Sequence, residues 1–386
     1  MDQVPVNERN EMLESPITAT DSRAALIRQS SLIIWDEAPM ANRAVLACVD
    51  ETCRRVMQSP LPFGGKVVIL LGDFRQTCPV IRKGTKAEVI DASISHSPIW
   101  PAFTIHRLST PIRNAEDPAF AAFVDAIGDG GGPDISFQGL QHAESKTDLI
   151  QFTFPQDVIS NPVQCLRRCI LAPTNSQVDA YNSTILNLLP SEPRVFCAAD
   201  SLEEHTDVSD DLESEVLPTP DAVLDYVAKI RPPGMPDHTL LIKLGGVYRI
   251  LRNLSVDRGL VKNTRVVVTG IGRKLITICI LKSIGGVSFS DHEDIFLPRI
   301  TFKETLPSGH TLLRKQFPLA PAYASTFHSC QGLTLDCVGI DLTHPVFTHG
   351  QLYTALSRVR CRNNMMVLLP DGQETTTNVT YHDILI

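Results

Sequence analysis

Two neighbouring carboxylates, Asp36 and Glu37, follow directly after an apolar run that begins at Leu32. A strand that is covered on both faces of a parallel sheet has such a run, and ligands of open α/β sheets bind at the carboxyl ends of the strands. At that position, one acid can hold magnesium while its neighbour positions an attacking water. The pattern therefore predicts half of a nucleotide site; the alternative is a helix N-terminus that carries acids.

A second polar strand end lies at Gly72–Gln76, directly after the apolar run Lys66–Leu71. Polar ends of neighbouring parallel strands meet at one edge of a sheet. We therefore expect Gln76 to reach a bound γ-phosphate or its attacking water. A tight turn that uses Gly and Asp is the alternative interpretation.

Two further segments, Ala322–Thr334 and Gln351–Arg360, carry polar side chains at the end of predicted elements. The first is a strand that runs into Ser, His, Gln and Gly, although an isolated His328 is more often a structural histidine. The second is a predicted amphipathic helix, Gln351–Val359, with Arg358 near its end. Such an arginine is either a partner of the helix dipole or an arginine finger that reaches a γ-phosphate.

Apolar periodicity and turn residues predict an α/β chain with a β-rich insertion. The predicted helices are Ser22–Gln29, Asn42–Met57, Pro118–Ile127, Ser176–Leu189 and Gln351–Val359. The predicted strands are 31–36, Lys66–Leu71, Phe103–Leu108, Cys169–Asn175, Val247–Leu251, Arg265–Thr269, Leu275–Leu281, Ile295–Phe302, Ala322–Phe327, Val338–Leu342 and Met365–Leu369.

The composition, 43% hydrophobic and 20% charged over 386 residues, is that of a globular protein with two domains and a small third one. No apolar run reaches the ~18–20 residues of a membrane span, and the polar start is not a signal peptide. Ten scattered cysteines, of which Cys165 and Cys169 are predicted to be buried free thiols, indicate a reducing compartment. Because the net charge is −8, any basic DNA-binding groove must be local.

The order of these motifs and their amino-acid sequences resemble those of the PIF-type (petite-integration-frequency) DNA helicases of superfamily one and the related helicases of Helitron transposons. The resemblance runs from about Asp21 to Leu369. The matching segments are Leu32–Pro39, Phe63–Val80, Leu108–Arg113, Leu171–Asn175, Leu251–Thr269, Tyr323–Leu335 and His349–Arg360.

The resemblance implies an α/β fold with two RecA-like P-loop NTPase domains built on parallel sheets, the first of them incomplete, and a small inserted β-barrel. The implied segments are a polar N-terminal segment (1–20), the first RecA-like domain (21–135), the start of the second (136–240) with an acidic insertion near 198–236, the barrel (241–318) and the rest of the second domain (319–386).

The resemblance also implies the roles of single residues around ATP and Mg²⁺. Asp36 would hold the metal, Glu37 would activate water and Gln76 would sense the γ-phosphate. Arg113 and Arg358 would stabilise transition-state charge. The remaining implied contacts are Gln331, Gly332 and Arg358 to the nucleotide, and Thr326, His328, Thr174 and Asn175 to DNA.

The implied activity is 5′–3′ unwinding of DNA coupled to ATP hydrolysis, in repair, recombination, telomere maintenance or transposon replication. The implied partner is single-stranded or duplex DNA. We expect a monomer without membrane contact, located in the nucleus, with the mitochondrion as the alternative.

The sequence departs from the family pattern in one large respect, because its 386 residues contain no G-x-x-x-x-G-K-[ST] phosphate loop. Gly65 and Lys66 are followed by Val67 at a strand start, which is the wrong context. Smaller departures are Ser329, Cys330, Pro111 and Ile112, where the family usually has Lys, Ser, Asn and Met.

These departures predict an N-terminally truncated and impaired helicase whose first sheet has an uncovered edge or apolar face, and which is poorly soluble. A non-catalytic DNA-binding or regulatory remnant is the alternative. An unrelated P-loop ATPase is a third interpretation, but it does not explain the β-rich insertion or the order of the motifs.

Overall fold

The computed structural model describes residues 13–81, 84–110, 112–132, 134–203, 226–284, 287–290, 293–306 and 308–386. The chain forms two compact units. Unit 1 comprises residues 1–142, 326–334 and 341–386, and unit 2 comprises residues 143–325 and 335–340. Most of the predicted polar N-terminal segment (1–12), most of the predicted acidic insertion (204–225) and Pro111 lie outside the described residues. The predicted domain boundaries stay a prediction.

The five predicted helices are present, although the last one ends early, and the structure adds four short helices that were not predicted. They are α1 (Ser22–Gln29), α2 (Arg43–Met57), α3 (Lys86–Asp91), α4 (Pro118–Gly128), α5 (Lys146–Thr153), α6 (Gln156–Ile159), α7 (Pro162–Cys165), α8 (Asn175–Asn187) and α9 (Gln351–Leu356), with a further helical stretch at 226–229. The four helices that were not predicted are α3, α5, α6 and α7. Short 3-10 turns lie at Ala38–Met40, Pro62–Gly65, Ile94–His96, Trp100–Ala102 and Arg362–Asn364.

The strands fall into the two groups that the sequence predicts, a few in the α/β frame and many in the β-rich insertion. They are β1 (Leu32–Trp35), β2 (Val67–Leu70), β3 (Asp134–Ser136), β4 (Gln141–Ala143), β5 (Arg168–Ala172), β6 (Arg194–Cys197), β7 (Ala199–Glu203), β8 (Thr239–Ile242), β9 (Val247–Ile250), β10 (Arg265–Ile271), β11 (Leu275–Ile284), β12 (Val287–Ser290), β13 (Ile295–Pro298), β14 (Ile300–Thr305), β15 (Thr311–Gln316), β16 (Leu319–Pro321), β17 (Ala324–Thr326), β18 (Cys337–Asp341), β19 (Met365–Leu368) and β20 (Thr375–Thr377).

Strands β1 and β2 of unit 1 are parallel, with Leu32 opposite Val67 and Trp35 opposite Leu70. One face of this pair, which includes Ile33 and Trp35, packs against a core formed with α2. The other face is bare: Leu32, Ile34, Val67 and Ile69 are 42%, 60%, 61% and 43% exposed. The prediction that these strands are buried on both faces is therefore wrong, whereas the expectation of an uncovered apolar face is confirmed.

Two other predictions in unit 1 are wrong in detail. The segment predicted as strand Phe103–Leu108 has no regular structure from residue 104 onward, and Leu108 is 96% exposed. An extended segment becomes a strand only where its backbone pairs with a neighbour, and no such pairing of 103–108 occurs among the described residues. Helix α9 ends at Leu356 rather than Val359, and all its residues are buried, so it is not amphipathic.

Strands β5 and β18 of unit 2 are also parallel, with Cys169 opposite Val338 and Leu171 opposite Ile340. These four residues are at most 1% exposed. Helix α8 follows β5 because the Thr174 side chain accepts a hydrogen bond from Gln177 N and so caps the helix. This strand–helix unit agrees with the prediction.

The β-rich part of unit 2 contains a sheet with strand order β12-β11-β10-β9-β16, with β13 also paired to β11, and a second sheet with order β14-β15-β7. The strands predicted here are present. Their closure into a barrel stays a prediction. All ten cysteines are free thiols, and Cys165 and Cys169 are buried as predicted. Within the part of the chain that the structure describes, no helix is long and apolar enough to cross a membrane.

Candidate nucleotide site

The polar ends of β1 and β2 lie side by side. Hydrogen bonds continue the strand pairing beyond both ends, from Leu71 N to Trp35 O (2.8 Å) and from Ala38 N to Leu71 O (2.9 Å). A Cβ atom on Gly72 would lie only 2.2 Å from Pro39 Cδ, so only glycine permits the two turns to approach this closely. This approach brings the carboxylates of the first turn next to the turn that carries Gln76.

Glu37 has a left-handed backbone conformation, with φ 51° and ψ 38°. Such a conformation costs a non-glycine residue roughly 1–3 kcal/mol, and residues of this kind concentrate at functional sites. The preceding Asp36 accepts a hydrogen bond from Glu37 N at 3.0 Å through its Oδ1 atom and is exposed. Asp36 is exposed to solvent, whereas the neighbouring Glu37 is half-buried.

A chain of hydrogen bonds fixes the Glu37 carboxylate. Gln331 Nε2 donates to Glu37 Oε2 at 3.1 Å, and Thr77 Oγ1 donates to Gln331 Oε1 at 2.6 Å. The Thr77 backbone N–H in turn donates to Thr354 Oγ1 at 3.1 Å. Three segments that the sequence singled out separately thus meet around one carboxylate. Sequence reasoning missed Thr77 and Thr354, whose contact joins residues far apart in the chain.

The two predicted arginines, Arg113 and Arg358, lie close to each other at this site. Arg113 Nη1 donates to Ser357 O at 2.8 Å. Burial lowers the pKa of Arg113, and the nearby charge of Arg358 lowers it further, while Tyr353 and Glu37 oppose this shift. Two guanidinium groups of like charge beside one carboxylate make a position where an anion is stabilised.

Arg358 is 1% exposed and is held by groups of unit 1 itself. Its guanidinium donates to Thr354 O at 2.8 Å, to Ser357 Oγ at 2.8 Å and to Leu333 O at 3.3 Å. The bond to Thr354 O lies at the end of α9, so Arg358 also has the role of a C-terminal helix partner. The structure thus shows the helix-partner role of Arg358, and its role as an arginine finger stays a prediction.

A cavity of about 190 Å³ lies in unit 1 between these groups, and its lining includes Gln76, Arg113, Tyr353 and Arg358. Among the described residues, the buried Gln76 Oε1 atom has no hydrogen-bond partner. A buried polar atom without a partner is costly, and a ligand or an ordered water commonly supplies one. The cavity can therefore take a small polar or anionic group.

The residues predicted to contact DNA fall in both units. Thr326 and His328 belong to unit 1, as do Gln331 and Gly332, which are predicted to contact the nucleotide, and Thr326 Oγ1 donates to Ser329 Oγ at 3.0 Å. Burial lowers the pKa of His328, so the imidazole is neutral at pH 7. Thr174 and Asn175 belong to unit 2, at the start of α8.

Asp36 and the cavity partly fit Mg²⁺ and a nucleotide. In the described part of the chain, no group of three or more His, Cys, Asp or Glu residues could hold a metal alone. Mg²⁺ in nucleotide sites, however, is commonly bound by one or two carboxylates together with phosphates and water. The exposed Asp36 fits this requirement, and the arginines and Gln76 fit a phosphate group. The chain supplies no phosphate loop from its own 386 residues.

Comparison with known proteins gives matches over both units. The PIF1-like helicase family matches residues 2–135, and the family described as DNA helicase Pif1, 2B domain, matches residues 225–271. ATP-dependent DNA helicase PIF1 of Homo sapiens is 29% identical over 337 residues, which are 87% of this chain and 46% of that protein. The Mus musculus protein of the same name is 30% identical over 339 residues, 87% and 45% of the two chains.

Solved structures agree on the fold. Pif1 helicase from Candida albicans superposes with a TM-score of 0.62 at 22% identity, covering 95% of this chain and 78% of that one. Bacteroides Pif1 bound to ssDNA gives 0.64 at 20% identity, covering 100% and 79%. The fold is thus the RecA-like α/β fold of helicases. The chain is similar to the PIF1-like helicases, and it spans about half the length of the curated relatives it matches.

Proposed function

We propose that this chain contributes to ATP-dependent, 5′–3′ unwinding of DNA as a PIF1-like helicase. The observation that carries the proposal is the hydrogen-bonded chain from Glu37 through Gln331 to Thr77, with Arg113 and Arg358 beside it. Groups from the ends of several elements converge there on one carboxylate, as nucleotide hydrolysis requires. The human and mouse relatives are ATP-dependent DNA helicases, which also supports the proposal.

In this proposal the two acids divide the work. Asp36 would hold Mg²⁺, which when bound neutralises charge on the phosphates. Glu37 would accept the proton of the attacking water. Gln331 restricts the rotation of the Glu37 carboxylate through its 3.1 Å hydrogen bond to Oε2, so the orientation of the carboxylate is fixed by the protein.

Gln76, Arg113 and Arg358 would meet the γ-phosphate. The buried, unpartnered Gln76 Oε1 is suited to accept a hydrogen bond from the attacking water. The mutual repulsion of Arg113 and Arg358 is relieved when negative charge develops between them, which favours the transition state over the empty site.

The DNA contacts would come from Thr326, His328, Thr174 and Asn175, with Gln331 and Gly332 near the nucleotide. A neutral His328 would stack on a base or exchange a hydrogen bond rather than act as a cation. We further propose that the protein acts as a monomer on single-stranded or duplex DNA in the nucleus.

The alternative function is a non-catalytic DNA-binding or regulatory protein derived from such a helicase. The absence of G-x-x-x-x-G-K-[ST] from the 386 residues favours it, because the loop supplies the amide cradle and the lysine for the phosphates. Both functions require a DNA track, and only the helicase requires hydrolysis.

The test is a binding titration of the purified chain with fluorescent oligo(dT) in a salt series, run beside a magnesium-dependent ATPase assay. We expect binding that weakens steeply as salt rises, because phosphate contacts release counterions. His328→Ala should weaken it by up to ~1–3 kcal/mol, and Tyr226→Phe, at an exposed tyrosine of unit 2, is the matched control.

We expect negligible ATP turnover by this 386-residue chain, since removing even one transition-state donor commonly costs ~100–1,000-fold. DNA-stimulated turnover that Glu37→Gln abolishes would establish hydrolysis and remove the alternative. Absence of DNA binding at low salt would refute both functions.

A further inference from the structure

The turn Gly72–Thr77 and helix α9 are joined on both sides of Gln76. Before Gln76, Tyr353 Oη donates to Asp73 Oδ2 at 2.5 Å, and His349 Nε2 bonds to Phe74 O at 2.8 Å. After it, Thr77 N donates to Thr354 Oγ1 at 3.1 Å. These three hydrogen bonds hold the backbone that carries Gln76 against the helix that leads to Arg358.

Gly350 lets the two backbones touch. It has φ +70°, and a Cβ atom there would lie 2.5 Å from both Arg75 O and Gln76 C. No side chain fits into that space, and the left-handed backbone itself favours glycine. The peptide of Gln76 is therefore in direct contact with the first turn of α9.

Arg75 packs beside this contact, and its guanidinium is already paired with protein groups. Its guanidinium lies 4.8 Å from the centre of the Tyr353 ring and pairs with Asp125 at 2.8 Å and Asp73 at 3.1 Å. A Cβ atom on Gly128 would meet the Tyr353 ring at 2.7 Å and Arg75 Cδ at 2.9 Å, so α4 also packs tightly here. The arginine thus fixes Tyr353 and Asp73 in place.

We propose that Asp73, Arg75, Gly350 and Tyr353, here called the turn–helix interlock, are positioning residues that set the distance between Gln76 and Arg358 across the cavity. The inference rests on the proposed function, because these two groups matter only if the cavity takes a phosphate. Asp73, Arg75 and Tyr353 also line the cavity, but their polar groups are paired with one another, so the interlock acts through the backbone on either side of Gln76.

The test uses the full 386-residue chain and inorganic tripolyphosphate at millimolar concentrations, followed by isothermal titration calorimetry over a salt series. Arg113→Ala identifies which binding belongs to the cavity, and Tyr226→Phe is the matched control for Tyr353→Phe. We expect Arg113-dependent binding that Tyr353→Phe weakens about tenfold. The slope of log affinity against log salt should stay unchanged, because no charge that meets the anion is lost.

A second variant separates positioning from general damage. Asp73→Asn removes the charged acceptor of the same hydrogen bond and also the ion pair with Arg75, so the double variant with Tyr353→Phe should lose no more affinity than Asp73→Asn alone. Melting curves show which variants are folded at the temperature of the titration. If Tyr353→Phe is not folded there, Asp73→Asn and Gly350→Ala carry the test.

The outcomes are distinguishable. Arg113-dependent binding that is unchanged in Tyr353→Phe, Asp73→Asn and Gly350→Ala overturns the interlock and leaves the proposed site intact. Binding that is weakened in Tyr353→Phe but unchanged in Asp73→Asn and Gly350→Ala overturns positioning in favour of direct contact between the Tyr353 hydroxyl and the anion. Absence of Arg113-dependent binding by the unmodified chain overturns the proposed nucleotide site and the interlock with it.

Discussion

The parallel pairs β1–β2 and β5–β18 are built from similar residues but are covered differently. Ile170 and Ile340 of the second pair are fully buried, whereas Ile34 and Ile69 of the first are 60% and 43% exposed. Helices α5 and α8 pack against β5 in unit 2. In unit 1, the described residues cover only the face of β1–β2 that turns toward α2. An apolar run therefore predicts a strand without telling how many of its faces are covered.

The difference matters because the less covered pair carries the candidate site. Asp36 and Glu37 follow β1, and Gln76 follows β2, so the precision of the site depends on a sheet that has two strands among the described residues. A two-stranded sheet is marginal without packing partners. We therefore expect the two pairs to differ in stability, in solubility and in response to pH.

The largest expected effect comes from truncating one isoleucine in each pair. Ile170→Ala leaves a cavity in a fully buried strand and should lower the free energy of unfolding of unit 2 by about 2–5 kcal/mol. Ile34→Ala, the same change at a 60% exposed position, should cost about 0.5 kcal/mol or less. Urea denaturation of both variants measures the difference; equal losses would contradict the comparison.

The bare face should limit solubility. Replacing Ile34 and Ile69 with lysine should raise the fraction of soluble monomer, because charges on an exposed apolar face oppose association. Size-exclusion chromatography of the lysate measures it. A double variant as insoluble as the unmodified chain would mean that this face does not drive aggregation.

The pH dependence of unit 1 should follow His349, which is fully buried. Its Nε2 bonds to Phe74 O and its Nδ1 accepts from Tyr381 N, so both nitrogens are used by the neutral ring. Burial lowers the pKa of His349 below that of the unfolded chain. The unfolded state then binds more protons below about pH 6.5, so the stabilisation is present above that pH and is lost as the pH falls.

The slope should not exceed about 1.4 kcal/mol per pH unit for one histidine. Denaturation midpoints of unit 1 between pH 7 and pH 5 measure it, with His349→Gln as the comparison. Burial also lowers the pKa of His328, so the variant should retain part of the slope. A variant with the full slope would assign the effect to other groups.

The smallest expected effect concerns the turn after β1. Glu37 has φ 51°, whereas Thr174, after β5, has an ordinary extended φ of −117°. Asparagine tolerates the left-handed region, so Glu37→Asn should raise the stability of unit 1 by about 0.5–1 kcal/mol. Glu37→Gln, which keeps the strain, is the control and should not raise it. Equal melting of the two variants would argue against stored strain.

Much of this fold could be predicted from the sequence because its signals are local. Helix α2 and strand β5 follow from the spacing and continuity of their apolar residues. The convergence of Glu37, Gln76 and Arg358 followed from motif order and resemblance. Each of these inferences uses residues that are close together in the chain or sequence motifs that are shared with a family.

The rest could not be predicted, because it depends on contacts distant in sequence. The exposure of Ile34 depends on what covers that face of the sheet. Whether Phe103–Leu108 forms a strand depends on whether a neighbouring strand is available for pairing. Tyr353 and Asp73 are 280 residues apart, and only the fold brings the hydroxyl to the carboxylate. The left-handed backbone of Glu37 could likewise not be predicted, because glutamate usually avoids this conformation.

Hydrogen–deuterium exchange of the purified chain tests the central claim, that the strand pair carrying the candidate site is less completely covered than its counterpart in unit 2. We predict that peptides spanning β5 and β18 exchange at least ~100-fold more slowly than peptides spanning β1 and β2, since amides open by local unfolding where packing is incomplete. Equal protection of the two pairs would contradict the account.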